Sequence, residues 1–521
     1  ASLIPAVDEF KTTVTRYRTR VLYTQNKYNL FREQSEGFSK LIAELGELPV
    51  GSSGGGGGGP SGASTSTRGS RSAADVITNV QSLIGYFDLD PNRVLDLVLE
   101  ALEAAPGRVA HCRELIGLFN PAYVPHVLGF KFAGYEGEPE ATPSSLFVLA
   151  AQLLQGGVVT LEQVLPHLVP SLADMQEEYG KYTAARFKEA AAFGRTLLPS
   201  SLDGDGDESP AAAAVPPPST EAAAADAAAA AAAAATEESP TPTGRYQPLG
   251  LLRALVDADD WATAERLISL LGPIDAAAFS PVRDSMLSLL ERMTDEDYAC
   301  VVPMYTLSSE APTDPQPTVA PPSASLLSLL DVLGLHLSAR PKLFARVARL
   351  CAAASRGLPA EAFEVADGPG AGVLACVESA ILPALVVSET NAGLAMELWR
   401  LIEPMPYVVR YRMYTWMQEL QTKPVQPELA LARARAADET KKMMRRLSKD
   451  NTKLYARHLG KISHSNPVVV FEGILSQIQS YDNLIEPVVE MMRCLSPLSF
   501  DVLPYCILYQ LPQRKSHLTD D

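Results

Sequence analysis

Along this chain, proline repeatedly opens an apolar stretch with the period of a helix. Asp90-Pro91 is followed by Val94, Leu95, Val98, Leu99 and Leu102, spaced three and four apart. Proline has a fixed φ and no N–H, so it suits the first turn of a helix and breaks later ones; the aspartate before it caps free N–H groups. Thr142-Pro143 repeats the signal, and Gly156 supplies the stop. Ser280-Pro281 leads into Val282, Met286, Leu289, Leu290 and Met293, and Arg340-Pro341 into Leu343, Phe344, Val347 and Leu350. Asn466-Pro467 opens Val468-Val469-Val470-Phe471, a run that alone reads as strand. Ile474, Leu475 and Ile478 carry the 3.6-residue period through it, so a helix is predicted. Between Leu249 and Leu271 two short helices flank Asp257-Ala258-Asp259-Asp260. Asp260 caps the second, and Trp261, Ala264, Leu267 and Ile268 line one side, making a compact αα-hairpin. Strand evidence is thin throughout. Short antiparallel helices in succession predict an all-α fold: an α-solenoid or irregular array of stacked helical hairpins with flexible low-complexity linkers. No fixed repeat period is visible, so any repeats have diverged.

Three stretches cannot join such an array. Residues 51–72 are rich in Gly and Ser, a flexible coil. Residues 199–245 carry eight acids against Arg245 alone, with a nine-alanine run at 227–235 that has no apolar face to bury. Residues 310–322 are Pro-rich. The expected organisation is an N-terminal anchoring helical segment (1–48), a Gly/Ser linker (49–72), a first helical array (73–198) and an acidic Ala/Pro-rich disordered linker (199–246). Helical hairpins (247–309), a Pro-rich loop (310–322) and a second array (323–521) with a basic segment (410–461) follow. In the first segment Val14, Tyr17, Val21, Tyr28 and Phe31 lie near one stripe, as do Phe38, Leu41, Ile42 and Leu45, flanked by Arg16, Arg18, Arg20, Lys27 and Arg32. A long helix tethered by a flexible coil needs something to lie on, and the sequence leaves open whether that is this chain or a partner subunit.

At 47% hydrophobic residues the chain can bury a large core, which sets it apart from a disordered polyanion. Its 61 acids against 44 bases leave a net charge of −17, so any phosphate-binding role must sit in a local basic patch. Six cysteines, at 112, 300, 351, 376, 494 and 506, form no CxxC pair and read as small buried hydrophobes in a reducing compartment. No uncharged apolar run approaches the length of a membrane span. Asp8 and Glu9 exclude a secretory signal, and a first residue other than Met suggests processing or a piece of a longer protein.

Motifs for chemistry are weak. Asp88-Leu-Asp90-Pro-Asn92 resembles the opening of a calcium loop, but Arg93 and Leu99 stand where that loop needs Gly and Glu, so it reads as a capped helix. Asp203-Gly-Asp205-Gly-Asp207 reads as a charge run, and the seven histidines do not cluster at ligand spacing. No nucleophile elbow, phosphate loop or dinucleotide fingerprint is present. The expectation is no enzyme, no cofactor and no metal. The most informative charge feature is 410–461, with thirteen bases against five acids, a balance of +8 that leaves −25 for the rest. Arg433, Arg435, Lys441, Lys442, Arg445, Arg446 and Lys449 are the candidate contacts for a partner or for RNA. The competing reading is a solvated helix face paired with the acidic linkers. Sparse aromatics argue against a single-strand stacking platform. Arg445-Arg446-Leu447-Ser448 also looks like a basophilic phosphorylation site.

LIAELG (41–46), LIGYFDLDPNRVLDLVLE (83–100), HVLGFKF (126–132), TPSSLF (142–147), RYRMY (410–414) and, most specifically, KISHSNPVVVFEGILSQIQSYDNLIEPVVE (461–490) resemble, in order, the N-terminal region of the THO complex subunit 2 family. Family members are far longer, so a fragment is expected. The resemblance implies a non-enzymatic scaffold, the largest subunit of the nuclear THO complex within the TREX assembly, which couples transcription and processing of messenger RNA to export. Implied partners are other THO complex subunits and a DEAD-box RNA helicase, held mainly through a MIF4G-like domain near or beyond the end of this chain; no membrane is implied. The poly-Gly and poly-Ala inserts depart from the family pattern. Two other functions suit the fold: an RNA-binding helical module acting through 410–461, and a cytoplasmic coat or trafficking solenoid.

Overall fold

The computed structural model describes residues 3–48, 72–105, 114–120, 122–135, 142–192, 246–301, 320–363, 368, 370–388, 391–449 and 451–511. The Gly/Ser linker up to residue 71, the acidic linker up to 245, the Pro-rich loop up to 319 and Cys112 lie outside the described residues. Every regular element among the described residues is helical. The chain forms two compact units, Ala1–Ser171 with Gly244–Leu267, and Leu172–Thr243 with Ile268–Asp521. In the first lie α1 (Leu3–Gly46), α2 (Ala73–Phe87), α3 (Pro91–Ala104), α4 (Val124–Ala133), α5 (Ser144–Gln155) and α6 (Leu161–Val164). The chain then enters the second unit with α7 (Leu172–Ala192), returns to the first with α8 (Gln247–Asp257), and passes into the second along α9 (Trp261–Leu271).

The prolines that open helices sit where helix physics puts them, whereas Pro504 lies inside the helix Pro497–Gln510. Pro91 is the first residue of α3, Asp90 accepts a hydrogen bond from the Asn92 N–H at 3.1 Å, and Val94, Leu95, Val98, Leu99 and Leu102 are all buried. Asp88 ends α2 in a left-handed conformation, so Asp88–Asp90 is a turn between two helices and Pro91 and Asn92 begin the second. Helix α8 packs on α5 at close range, because a Cβ on Gly250 would lie 2.4 Å from the Phe147 ring. Gln247, buried at the start of α8, ties that helix to the unit. Its Nε2 donates to Phe132 O at 2.9 Å and its Oε1 accepts from the Val169 N–H at 2.9 Å.

The second unit continues with α10 (Ser280–Met293), α11 (Asp295–Val301), α12 (Ala324–Leu333), α13 (Pro341–Ala354), α14 (Ala371–Cys376), α15 (Leu382–Val387), α16 (Ala392–Ile402) and α17 (Tyr407–Thr422). It ends with α18 (Pro427–Arg446), α19 (Thr452–Ser463), α20 (Pro467–Ile478), α21 (Ile485–Met491) and α22 (Pro497–Gln510). The valine run is helical: Val468, Val469, Val470, Phe471 and Ile474 of α20 are buried, and α20 packs on α18 and α22. Buried polar joints lock these helices. Gln421 of α17 donates to Asn466 Oδ1 at 2.9 Å, and Asn466 Nδ2 donates to Val386 O at 3.1 Å. Arg410 grips Asp501 of α22 through Nε at 2.9 Å and Nη2 at 3.1 Å, and the Tyr414 hydroxyl donates to the same carboxylate at 2.6 Å. Burial and that bond push the Tyr414 hydroxyl well above the usual tyrosine range. The cysteines divide. Cys351, Cys376 and Cys506 are buried, and burial pushes the Cys506 thiol up to about 12. Cys300, in the seven-residue α11, and Cys494, at the end of the 3-10 turn Met492–Cys494, are exposed, contrary to the buried reading.

Candidate interaction surfaces

Helix α1 has 44 residues, a length of about 66 Å at 1.5 Å per residue. Its two ends live in different environments. Near its C-terminus, Leu41, Leu45 and Leu48 are buried, and the helix packs on α2 and α3. Gly37 allows the approach, since a Cβ there would come within 2.7 Å of the Phe87 side chain. The Arg93 guanidinium lies over the Phe38 ring at 4.7 Å, and Lys40 over Phe87 at 5.2 Å. Over residues 10–27 every described side chain but Val14 is exposed, with Phe10 at 70%, Tyr17 at 69% and Tyr23 at 72%. Phe10, Val14, Tyr17, Val21 and Thr24 recur at alternating steps of four and three, the spacing of a coiled-coil seam. Thus the question the sequence left open has a divided answer: the end of the helix lies on this chain, and residues 10–27 have an open apolar stripe. Periodicity located Val14, Tyr17 and Val21; it did not single out Phe10, Leu22 or Tyr23, since their exposure depends on what fails to pack on them.

The basic segment also divides. Arg410 belongs to the interior joint with Asp501, and Arg433 donates to Gln421 O at 2.9 Å. Both are held in the framework. Arg435, Lys441, Lys442, Arg445, Arg446 and Lys449 are exposed. Lys442 pairs at 2.7 Å with Asp438, whose carboxylate is largely buried, and Lys449 pairs with Glu486 at 2.6 Å in water, where such a pair contributes little. Among the described residues, Lys441, Arg445 and Arg446 have no ion pair. They sit at the end of α18, which packs against α19, and α19 adds Lys453, Arg457 and Lys461. Those three are exposed and four residues apart, so they form one row on α19. The i, i+4 spacing was the signal for this row, and the shortlist of candidates omitted it.

Among the described residues, no group of three His, Cys, Asp or Glu could hold a metal ion, and no helix is long and apolar enough to cross a membrane. The titratable groups with displaced protonation are dispersed: burial raises Glu378 and Glu472 and lowers His464. Asp275 accepts from Gln426 Nε2 at 3.1 Å and contacts His336 Nε2 at 2.9 Å; it also caps the turn at Ala277.

The family described as "THO complex subunit 2 N-terminus" matches residues 2–119, 122–308 and 323–457, and the one described as "Transcription- and export-related complex subunit" matches 459–521. The chain belongs to the THO complex subunit 2 family. The Homo sapiens protein of that name is 32% identical over 539 residues, an alignment that covers 100% of this chain and 31% of the human one. THO complex subunit 2 of Arabidopsis thaliana is 30% identical over 555 residues, covering 98% of this chain and 28% of its own. That of Saccharomyces cerevisiae is 25% identical over 187 residues, covering 36% and 12%. The chain thus spans just under a third of the length of the curated human relative it matches. Both the α1 stripe and the α18 cations fall within the matches to the THO complex subunit 2 family.

Proposed function

We propose that this chain is a non-enzymatic scaffold part of the nuclear THO/TREX complex. It organises other THO subunits along open helical faces and so couples transcription and processing of messenger RNA to export. It also helps recruit a DEAD-box RNA-dependent ATPase, mainly through regions beyond this chain. The observation that carries this reading is the open stripe of α1. Helices in proteins owe most of their stability to packing, and an aromatic seam at 3.5-residue spacing calls for another helix as its cover. The test is reconstitution of the full-length protein with the other THO subunits. Tyr17→Asp with Val21→Asp should reduce recovery of the complex about tenfold or more, while the variant alone turns over no nucleoside triphosphate. Full recovery with the variant, or turnover by the wild-type chain alone, overturns the proposal. Family membership favours this reading over a cytoplasmic trafficking solenoid, and imaging of the full-length protein checks it.

A second reading is favoured by the exposed cations at the end of α18 and along α19: direct contact with RNA. Charge reversal at Lys441, Lys442, Arg445 and Arg446 should then weaken RNA binding, and binding should fall steeply with salt. An unchanged or salt-insensitive affinity rejects it.

A further inference from the structure

The sequence Arg445-Arg446-Leu447-Ser448 occupies the junction between α18 and α19, and neither surface described above explains it. Leu447 ends α18 with φ −67° and ψ 128°, so the chain turns from helix to extended backbone just before the serine. Ser448 is exposed. Its N–H donates to Asn451 Oδ1 at 2.9 Å and its carbonyl accepts from the Asn451 N–H at 3.3 Å, but its hydroxyl makes no hydrogen bond among the described residues. Asn451 Nδ2 donates to Arg446 O at 2.8 Å, which ties the start of α19 back to the end of α18. Arg445 and Arg446, three and two residues before the serine, are exposed and without an ion pair among the described residues. An accessible hydroxyl with two arginines at those positions is the pattern that acidic kinase clefts select.

We propose that Ser448 is a phosphoacceptor for basophilic serine kinases, and that its phosphate lowers the affinity of the α18–α19 face for polyanions. The kinase's base takes the hydroxyl proton as Ser448 Oγ attacks the γ-phosphorus of a nucleoside triphosphate. The new O–P bond forms while the bond from that phosphorus to the bridging oxygen breaks, and the nucleoside diphosphate leaves. Charge makes the consequence large. Residues 438–457 hold seven bases and three acids, a balance of +4. A phosphoserine adds about −2, halving it. The new anion competes with Glu486 for Lys449, lies three residues along the chain from Arg445, and precedes the first turn of α19, where Asn451 makes no side-chain cap. The acceptor assignment stands on the loop alone; the effect on polyanions rests on the second reading above.

The full chain is incubated with ATP and the catalytic subunit of cyclic-AMP-dependent protein kinase. Phosphopeptides are mapped by mass spectrometry, and treated and untreated chains are compared on heparin. Phosphate should appear at Ser448, and incorporation there should fall at least tenfold in the double variant Arg445→Ala, Arg446→Ala. The phosphorylated chain should elute from heparin at lower salt, with about tenfold weaker binding at fixed salt, and Ser448→Ala should abolish that shift. Absence of phosphate at Ser448 in the folded chain overturns the assignment. Phosphate at Ser448 with unchanged elution, while Lys441→Glu with Arg445→Glu does shift it, overturns the charge effect. A chain that accepts the phosphate but binds heparin in neither form supports the acceptor assignment and overturns the polyanion reading.

Discussion

Helices α1 and α18 are both long and basic, yet they hold themselves in place differently. Helix α18 packs on α7, α15, α19 and α20, and buries Leu429, Ala436, Thr440, Met443 and Met444 on its inner side. Its exposed cations lie on the opposite side, as the 3.6-residue period requires. Helix α1 is held by its last three turns, while Phe10, Tyr17, Val21, Leu22 and Tyr23 face solvent. The contrast shows that helicity and apolar patterning do not decide burial. In α18 the apolar face is consumed within the unit. In α1 a similar face is left over, open to solvent.

The comparison can be broken or sharpened by substitution. The largest effect is expected for Met443→Ala in α18, which should destabilise the chain by about 2–5 kcal/mol in denaturant unfolding; a cost below about 0.5 kcal/mol would mean α18 is not anchored by its inner face. Asp501→Ala should cost about 3 kcal/mol, because Arg410 loses both of its carboxylate bonds and Tyr414 its acceptor in a half-buried site. An unchanged melting temperature would sink that account. Glu472→Gln, on α20 beside α18, tests a protonation effect. Burial raises the Glu472 carboxyl above its ordinary 4.5, against the hydrogen bond from Gln418 and the charge of Arg433. The folded state then holds its proton to higher pH than the unfolded chain, so its contribution to stability falls as pH rises from about 4.5. The Gln variant should lack that fall and be at least as stable as wild type at neutral pH; urea midpoints across pH 4–7 check the sign. Smallest is Tyr17→Ala in α1, which should change the stability of the isolated chain by less than about 0.5 kcal/mol. A large loss there would mean that the exposed half of α1 is held by this chain after all.

Much of the fold was legible because its signals are local. Asp90-Pro91 and Ser280-Pro281 mark helix starts through φ and a missing N–H, and the period through Val468–Ile478 identifies a helix despite a β-branched run. The surfaces were less legible. The tally of bases over 410–461 grouped cations of two kinds. It could not separate Arg410, whose carboxylate partner is 91 residues away, from Arg445. Nor could it tell that Lys449 meets Glu486, 37 residues on, or that Lys453, Arg457 and Lys461 extend the row onto α19. Cys300 and Cys494 came out exposed for the same reason: composition assigns a residue type an average burial, and position assigns the actual one.

The amino-acid sequence by itself determined that this protein is a succession of helices of the THO complex subunit 2 family, since proline, caps and apolar period act within a few residues of one another. Only the tertiary structure decided which apolar stripe is used up and which stays open, and which arginines are framework and which are surface. Those outcomes depend on pairs of side chains brought together from distant parts of the chain, and burial is a property of the pair.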